Sequence, residues 1–139
     1  MLLEEFEDVA AVIEPTEKPV HDKGEVCETI ILSFNGEILK RLIESEEVYP
    51  GGYLKSINGQ HPWYIYDQGT SKLAVMLAPI GAPMIVGQLE ELVARGFKNF
   101  IILGSCGVLD SSIEADKIIL PAAALRDEGT SYHYAPPGD

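Results

Sequence analysis

Residues 73–110, LAVMLAPIGAPMIVGQLEELVARGFKNFIILGSCGVLD, constrain the chain more than any other stretch. The segment opens with the apolar run 73–77 and breaks at Pro79 and Gly81. It then carries apolar residues at helical spacing, Ile85, Leu89, Leu92 and Val93, so it predicts a strand, a turn and a helix packing through those four positions. Gly96 suits a helix C-cap, and residues 100–103 form a second apolar run that stops at Gly104-Ser105-Cys106-Gly107. Strand, helix and strand with short links make a βαβ unit, whose right-handed crossover leaves the two strands parallel. Their carboxyl ends then share one sheet edge, where open α/β sheets bind ligands. Residues 78–82 and 104–107 are thereby expected at the mouth of one site.

The rest of the chain fits an α/β class with a mixed, mostly parallel sheet around that unit, in a single domain spanning 1–139. Residues 29–33 (TIILS) read as a strand, and residues 37–43 have helical spacing with Asn35 available as N-cap. Residues 49–59 (YPGGYLKSING) read as turn-rich, 63–66 as an aromatic strand of a hairpin, and 117–120 (KIIL) as a further strand. The acidic N-terminal segment 1–27 suggests a short strand or loop near residues 9–13. No repeat or low-complexity segment interrupts the chain.

Charge narrows the partners. Lys and Arg number 10 against 22 Asp and Glu, a formal net charge of −12, which disfavours a nucleic-acid partner because phosphate backbones require a basic footprint. No apolar run is long enough for a bilayer helix, and the acidic start lacks the basic flank of a signal peptide, so a cytoplasmic location and no membrane partner are expected. The only two cysteines, Cys27 and Cys106, are expected reduced. No His, Cys or carboxylate spacing suggests a metal site, and His61 and Trp63 read as hairpin residues.

Gly104-Ser105-Cys106-Gly107 after an apolar strand, a short acidic turn, Ile119-Leu120, and then the run Arg126-Asp127-Glu128-Gly129-Thr130-Ser131-Tyr132-His133-Tyr134-Ala135-Pro136 together resemble the nucleoside phosphorylase family of purine nucleoside and uridine phosphorylases. The similarity covers about residues 28–139 and is to the family's N-terminal half. Ile80-Gly81-Ala82-Pro83 resembles that family's Gly-rich turn before its helix. The resemblance implies a nucleoside phosphorylase-like, three-layer fold, here incomplete. It also implies cleavage of a nucleoside N-glycosidic bond by inorganic phosphate to a free base and a pentose 1-phosphate. Such a site needs a nucleophile beneath the anomeric carbon, partners for the ribose hydroxyls and an acid for the departing base.

By the same resemblance, Ser105, Gly104 and Gly81 are assigned to phosphate and ribose, and Cys106 and Gly107 to the base. The chemistry agrees, since a hydroxyl and exposed backbone N–H groups at a strand's carboxyl end donate to oxyanions or sugar hydroxyls. A turn permitted by two glycines, capped by Ser105 with Cys106 as a small hydrophobe, is the other reading of the same four residues. Arg126 and His133 are further candidates, with structural roles as the alternatives, pairing for Arg126 and packing or subunit contact for His133. His21 lies in the acidic segment, where some family members lend a histidine to a neighbouring subunit.

The departures from the family pattern are as informative. Where family members carry a Gly-Asp-Pro-x-Arg loop after the first strand, this chain reads Ser33-Phe34-Asn35-Gly36-Glu37-Ile38, and a second arginine position is Ile102. A third has no counterpart among residues 46–72. Bidentate guanidinium contacts are the usual means of holding phosphate. The second half of a family member supplies a Met-Glu pair for the ribose and, in the purine branch, an aspartate general acid. No cofactor is expected beyond inorganic phosphate as co-substrate, and the partners expected are a nucleoside or nucleobase and further copies of the chain, since family members form dimers or hexamers. Three readings stay open: a phosphorylase-family chain inactive by itself, a nucleosidase-like hydrolase using water, and a non-catalytic nucleoside-binding or assembly module.

Overall fold

The computed structural model describes residues 9, 10, 14, 15, 24–114 and 117–136. His21 and most of the segment expected near 9–13 lie outside the described residues. The chain divides into two compact units, residues 9–104 and a second containing 105–139. The first holds strands β1 (Thr29–Ser33), β2 (Val48–Ser56), β3 (Gly59–Asp67), β4 (Lys72–Leu77) and β5 (Asn99–Leu103), with helices α1 (Gly36–Glu44) and α2 (Ala82–Arg95).

The strands form one mixed sheet in the order β2-β3-β4-β1-β5. β1 is parallel to both β4 and β5, with Ile31 opposite Val75 on one side and Ile101 on the other. The expected parallel strands are therefore near neighbours straddling β1, and α2 carries the chain across from β4 to β5. Antiparallel pairings of β3 with β4 and of β2 with β3 complete the sheet.

Alternation along the strands sorts the side chains into two faces. Ile30, Leu32, Ala74, Met76, Ile65 and Trp63 join Leu92 and Phe97 in the main core, with Ile85 and Leu89 packed against it. Helix α2 covers this face, and Trp63 and Phe97 meet edge to face at 5.7 Å and 89°. Val75 and Leu39 are buried outside that cluster. A Cβ at Gly36 would lie 3.7 Å from the Leu77 side chain, which puts α1 on the opposite face. The result is three layers, as expected.

Three expectations need correction. Residues 48–56 are strand rather than turn. Pro50 is tolerated because β2 is an edge strand, and Gly51 and Gly52 lie at a register shift where the Trp63 ring leaves no room for a Cβ. The tight turn of the hairpin is Ile57-Asn58, between Ser56 and its partner Gly59. On α2, Val93 is 40% exposed, whereas Gln88 is buried beside Leu92. Gln88 and Leu92 are buried, with Ile85 and Leu89 partly buried beside them, a stripe that keeps the helical period but admits a polar residue. Residues 117–120 form no strand, and Ile118 is fully exposed. β propensity yields no strand without a partner to complete its hydrogen bonds.

Candidate functional site

The carboxyl ends of β1, β4 and β5 meet on one edge because the three strands are parallel. Two bonds stitch the edge together: the Ala78 amide donates to the Ser33 carbonyl (2.8 Å) and the Phe34 amide to the Leu103 carbonyl (2.9 Å). Gly81 and Gly104 leave this edge from β4 and β5. The Ala78-Pro79-Ile80 link buries Ala78 and leaves Ile80 exposed.

The two helices that start here differ. Helix α2 begins at Gly81 (φ 106°, ψ 137°), with no side-chain cap, a proline in its first turn and no acidic residue there. Its amide dipoles stay unopposed at the N-terminus, which suits a carbonyl, hydroxyl or anion. Gly81 is required by its positive φ. Its carbonyl accepts from the amides of Met84 (3.1 Å) and Ile85 (3.0 Å).

Helix α1 is closed at the same end. Asn35 caps it, its Oδ1 accepting from the Glu37 amide at 3.0 Å, and Glu37 adds a carboxylate to the first turn. Upstream, the buried Ser33 hydroxyl accepts from the Asn35 amide (3.1 Å) and donates to the Asn35 carbonyl (3.2 Å). The Phe34 ring projects from this turn, 40% exposed. Gly104 sits against it: a Cβ there would meet Phe34 Cδ2 at 3.4 Å. Phe34 carries no signal in the sequence beyond standing where the resemblance placed a phosphate loop.

Gln88 supports the edge from α2. Its Nε2 donates to the Leu77 carbonyl at 3.2 Å and lies 3.4 Å from Met76 Sδ. Its Oε1 is buried without a partner. The polar position in an apolar stripe was the only sequence signal for it.

The second unit holds the remaining candidates. Ser105, Cys106 and Gly107 follow Gly104 directly in the chain and are exposed, Cys106 as a free thiol. In the acidic turn after them, the Ser112 amide donates to Asp110 Oδ1 at 2.8 Å, which holds the Asp110 carboxyl below its usual range. Arg126 organises its own loop. Its Nε donates to Ser131 Oγ (3.0 Å), Nη2 to the Ala135 carbonyl (2.9 Å) and Nη1 to the Pro136 carbonyl (2.6 Å), while its guanidinium lies 4.3 Å from the Tyr132 ring centroid. Those contacts occupy the fork that would otherwise grip an anion. Glu128 is held low by hydrogen bonds from Ser131, assisted by the Thr130 amide (2.7 Å). His133 ends a single 3-10 turn, Ser131–His133, and is exposed.

A charge cluster among the described residues lies elsewhere, at the amino end of β4. Lys72 Nζ contacts Glu25 Oε1 (2.8 Å), Tyr49 Oη (3.0 Å) and Asp67 Oδ2 (3.2 Å). Hydrogen bonding to Lys72 lowers the Glu25 pKa, while the Gly69 amide, followed by Lys72, lowers that of Asp67. Lys72 is raised in turn, chiefly by Glu25. The cluster joins the segment before β1 to β2, β3 and β4, and Trp63 Nε1 donates to the Glu25 carbonyl at 2.8 Å. It reads as structural. Among the described residues no group of three or more His, Cys, Asp or Glu could hold a metal ion, and no helix is long and apolar enough to cross a membrane.

Comparison with known proteins bears on the same region. The family model of the phosphorylase superfamily matches residues 28–139. Uridine phosphorylase of Treponema pallidum (strain Nichols) is 35% identical over 81 residues, covering 56% of this chain and 31% of that protein. Guanosine phosphorylase of Halorubrum lacusprofundi is 29% identical over 117 residues, 81% of this chain and 46% of its own length. Uridine phosphorylase of Thermococcus kodakarensis is 40% identical over 62 residues, 45% and 22% respectively. The chain thus spans less than half the length of these relatives. No solved structure matches it significantly.

Proposed function

The chain belongs to the phosphorylase superfamily, and on that premise we propose that its carboxyl sheet edge binds a nucleoside, in a protein acting on the nucleoside N-glycosidic bond. The observation that carries this reading is the convergence of β1, β4 and β5 at an edge bearing an uncapped α2 N-terminus and the Gly104 turn. In the family reaction an oxygen of phosphate bonds to the anomeric carbon, the bond from that carbon to the base nitrogen breaks, and the base leaves with a proton. Ser105 is the residue proposed to meet the ribose or the incoming oxyanion, with Gly104 and Gly81 offering backbone N–H groups. Cys106 and Gly107 would border the base. Inorganic phosphate would be a co-substrate rather than a cofactor.

Turnover asks for more than these groups provide. Ile102 stands at a position where a cation would hold phosphate, and Arg126 is engaged by Ser131, Ala135 and Pro136. We therefore propose that the 139 residues by themselves bind nucleoside weakly and do not cleave it. A hydrolytic member using water is the second reading, favoured by the same scarcity of available cations, since a neutral nucleophile needs no cationic cradle. Self-association through uncovered apolar surface such as β5, an edge strand with Ile101, Ile102 and Leu103 exposed, accompanies either reading.

Calorimetry with uridine and inosine tests the proposal, alongside a coupled assay for released base. Saturable binding weakened by Ser105→Ala, without base release, is expected. No binding of either nucleoside would refute it.

A further inference from the structure

The ladder between β3 and β4 stops one residue short of the carboxyl edge. Its last pair is Trp63 with Met76, and the same register continued would set Leu77 opposite Pro62. The Ala78 amide donates to the Ser33 carbonyl of β1, so the Leu77 carbonyl, in the same planar peptide unit, faces the other neighbour, β3. There the residue in register is Pro62, which has no N–H to give. Gln88 supplies the missing donor from α2. It stands in the second turn of that helix, and helical side chains lean toward the helix N-terminus, which brings its amide to the end of β4. Nε2 donates to the Leu77 carbonyl at 3.2 Å and lies 3.4 Å from Met76 Sδ.

For stability alone the arrangement is poor. Gln88 is 8% exposed beside Ile85, Leu89 and Leu92, and its Oε1 is buried without a partner. Such an orphaned acceptor costs at least as much as the bond at the other end of the amide returns. What the side chain achieves is to fix the peptide between residues 77 and 78 from both sides, β1 holding the Ala78 N–H and α2 the Leu77 carbonyl. That peptide begins the link that ends at Gly81 and the uncapped start of α2.

We propose that Gln88 is a positioning residue for the nucleoside site: standing in for the N–H that Pro62 lacks, it holds the exit of β4, and with it residues 78–81, in the arrangement that meets ligand. This rests on the reading that nucleoside binds at the carboxyl edge. Gln88 is buried, so it acts through Leu77 and the link rather than by touching ligand. A link fixed before ligand arrives has less freedom to lose on binding. One net hydrogen bond translates into about three- to tenfold in affinity.

Two substitutions on the full chain test this. Gln88→Met keeps the volume and removes the donor, and Pro62→Ala returns a main-chain N–H to the position opposite Leu77. Amide spectra without ligand, calorimetry with uridine and inosine, and melting temperatures are compared for the wild type, Gln88→Met and the double variant. In Gln88→Met the Ala78, Ile80 and Gly81 amides are expected to shift, Ala78 to exchange with solvent faster, and nucleoside affinity to fall about three- to tenfold with little change in melting temperature. Adding Pro62→Ala should restore both the amides and the affinity. A purely structural role would move the melting temperature and leave the affinity of the folded protein where it was. Unchanged affinity in folded Gln88→Met, or a loss that Pro62→Ala does not restore, overturns the positioning role while the nucleoside reading stands. No nucleoside binding by the wild type refutes the reading of the edge and, with it, the role assigned to Gln88.

Discussion

The indole of Trp63 lies against the bare backbone of Gly52, where a Cβ would come 2.6 Å from Cη2. Gly51 is equally tight, with its would-be Cβ 2.6 Å from Trp63 Nε1 and 2.9 Å from Ile65 Cδ1. Trp63 has no freedom to move away, since it is fully buried and its Nε1 donates to the Glu25 carbonyl. Gly51→Ala and Gly52→Ala should therefore each destabilise the protein by about 1–3 kcal/mol, the usual cost of overpacking. Urea unfolding measures this, and unchanged midpoints would mean that the hairpin packs differently.

Gln88 allows the opposite experiment. Its Oε1 is buried without a partner, and its Nε2 holds the Leu77 carbonyl. Gln88→Met removes the orphan acceptor at similar volume and also the Nε2 bond to the Leu77 carbonyl, two effects of opposite sign, so stability should stay within about 1 kcal/mol of wild type. Gln88→Glu places a carboxylate in the same position and should destabilise the protein by about 1–3 kcal/mol or more. The two denaturation midpoints should differ in that order; equal losses would place the side chain at the surface.

The Lys72 cluster makes stability depend on acid. Glu25 and Asp67 have lowered pKa values in the folded chain, so their contribution is complete above the ordinary carboxylate range of about 4 and is lost as pH falls through the folded values. Lys72 has the reverse sign: its raised pKa gives a contribution present below the ordinary lysine range and lost only at strongly alkaline pH. Lys72→Met should flatten the fall of melting temperature in acid. A wild-type slope in the variant would show that other carboxylates dominate. These groups are solvent-exposed, so added salt should reduce the effect.

Legibility in the sequence followed the physics of each element. The β4-α2-β5 unit is readable because its apolar periods change from strand to helix and back, and Gly96 closes the helix with its backbone at φ 110°. The insertion of β1 between β4 and β5 is not readable, because an apolar run such as TIILS carries no information about its neighbours. β2 is hidden by Pro50-Gly51-Gly52, residues that usually mark turns and here make room for Trp63. The site is legible only as backbone: Gly81 and Gly104 are chosen by turn chemistry. Phe34 and Gln88 are invisible until the sheet sets them at one edge.

Self-association is expected from β5. Its three exposed apolar residues stand on the outermost strand of the sheet, without the charge that usually guards an edge. Sedimentation at micromolar concentration should show oligomers in the wild type and a shift toward monomer in Ile102→Lys. A monomeric wild type would contradict this.

Amide chemical-shift mapping with uridine or inosine shows where nucleoside sits. Saturable shifts are expected at Phe34, at residues 78–82 and at Gly104, on the carboxyl sheet edge, with the hairpin turn Ile57-Asn58 unmoved. Shifts confined to the hairpin or to the Lys72 cluster, with that edge silent, would contradict that placement.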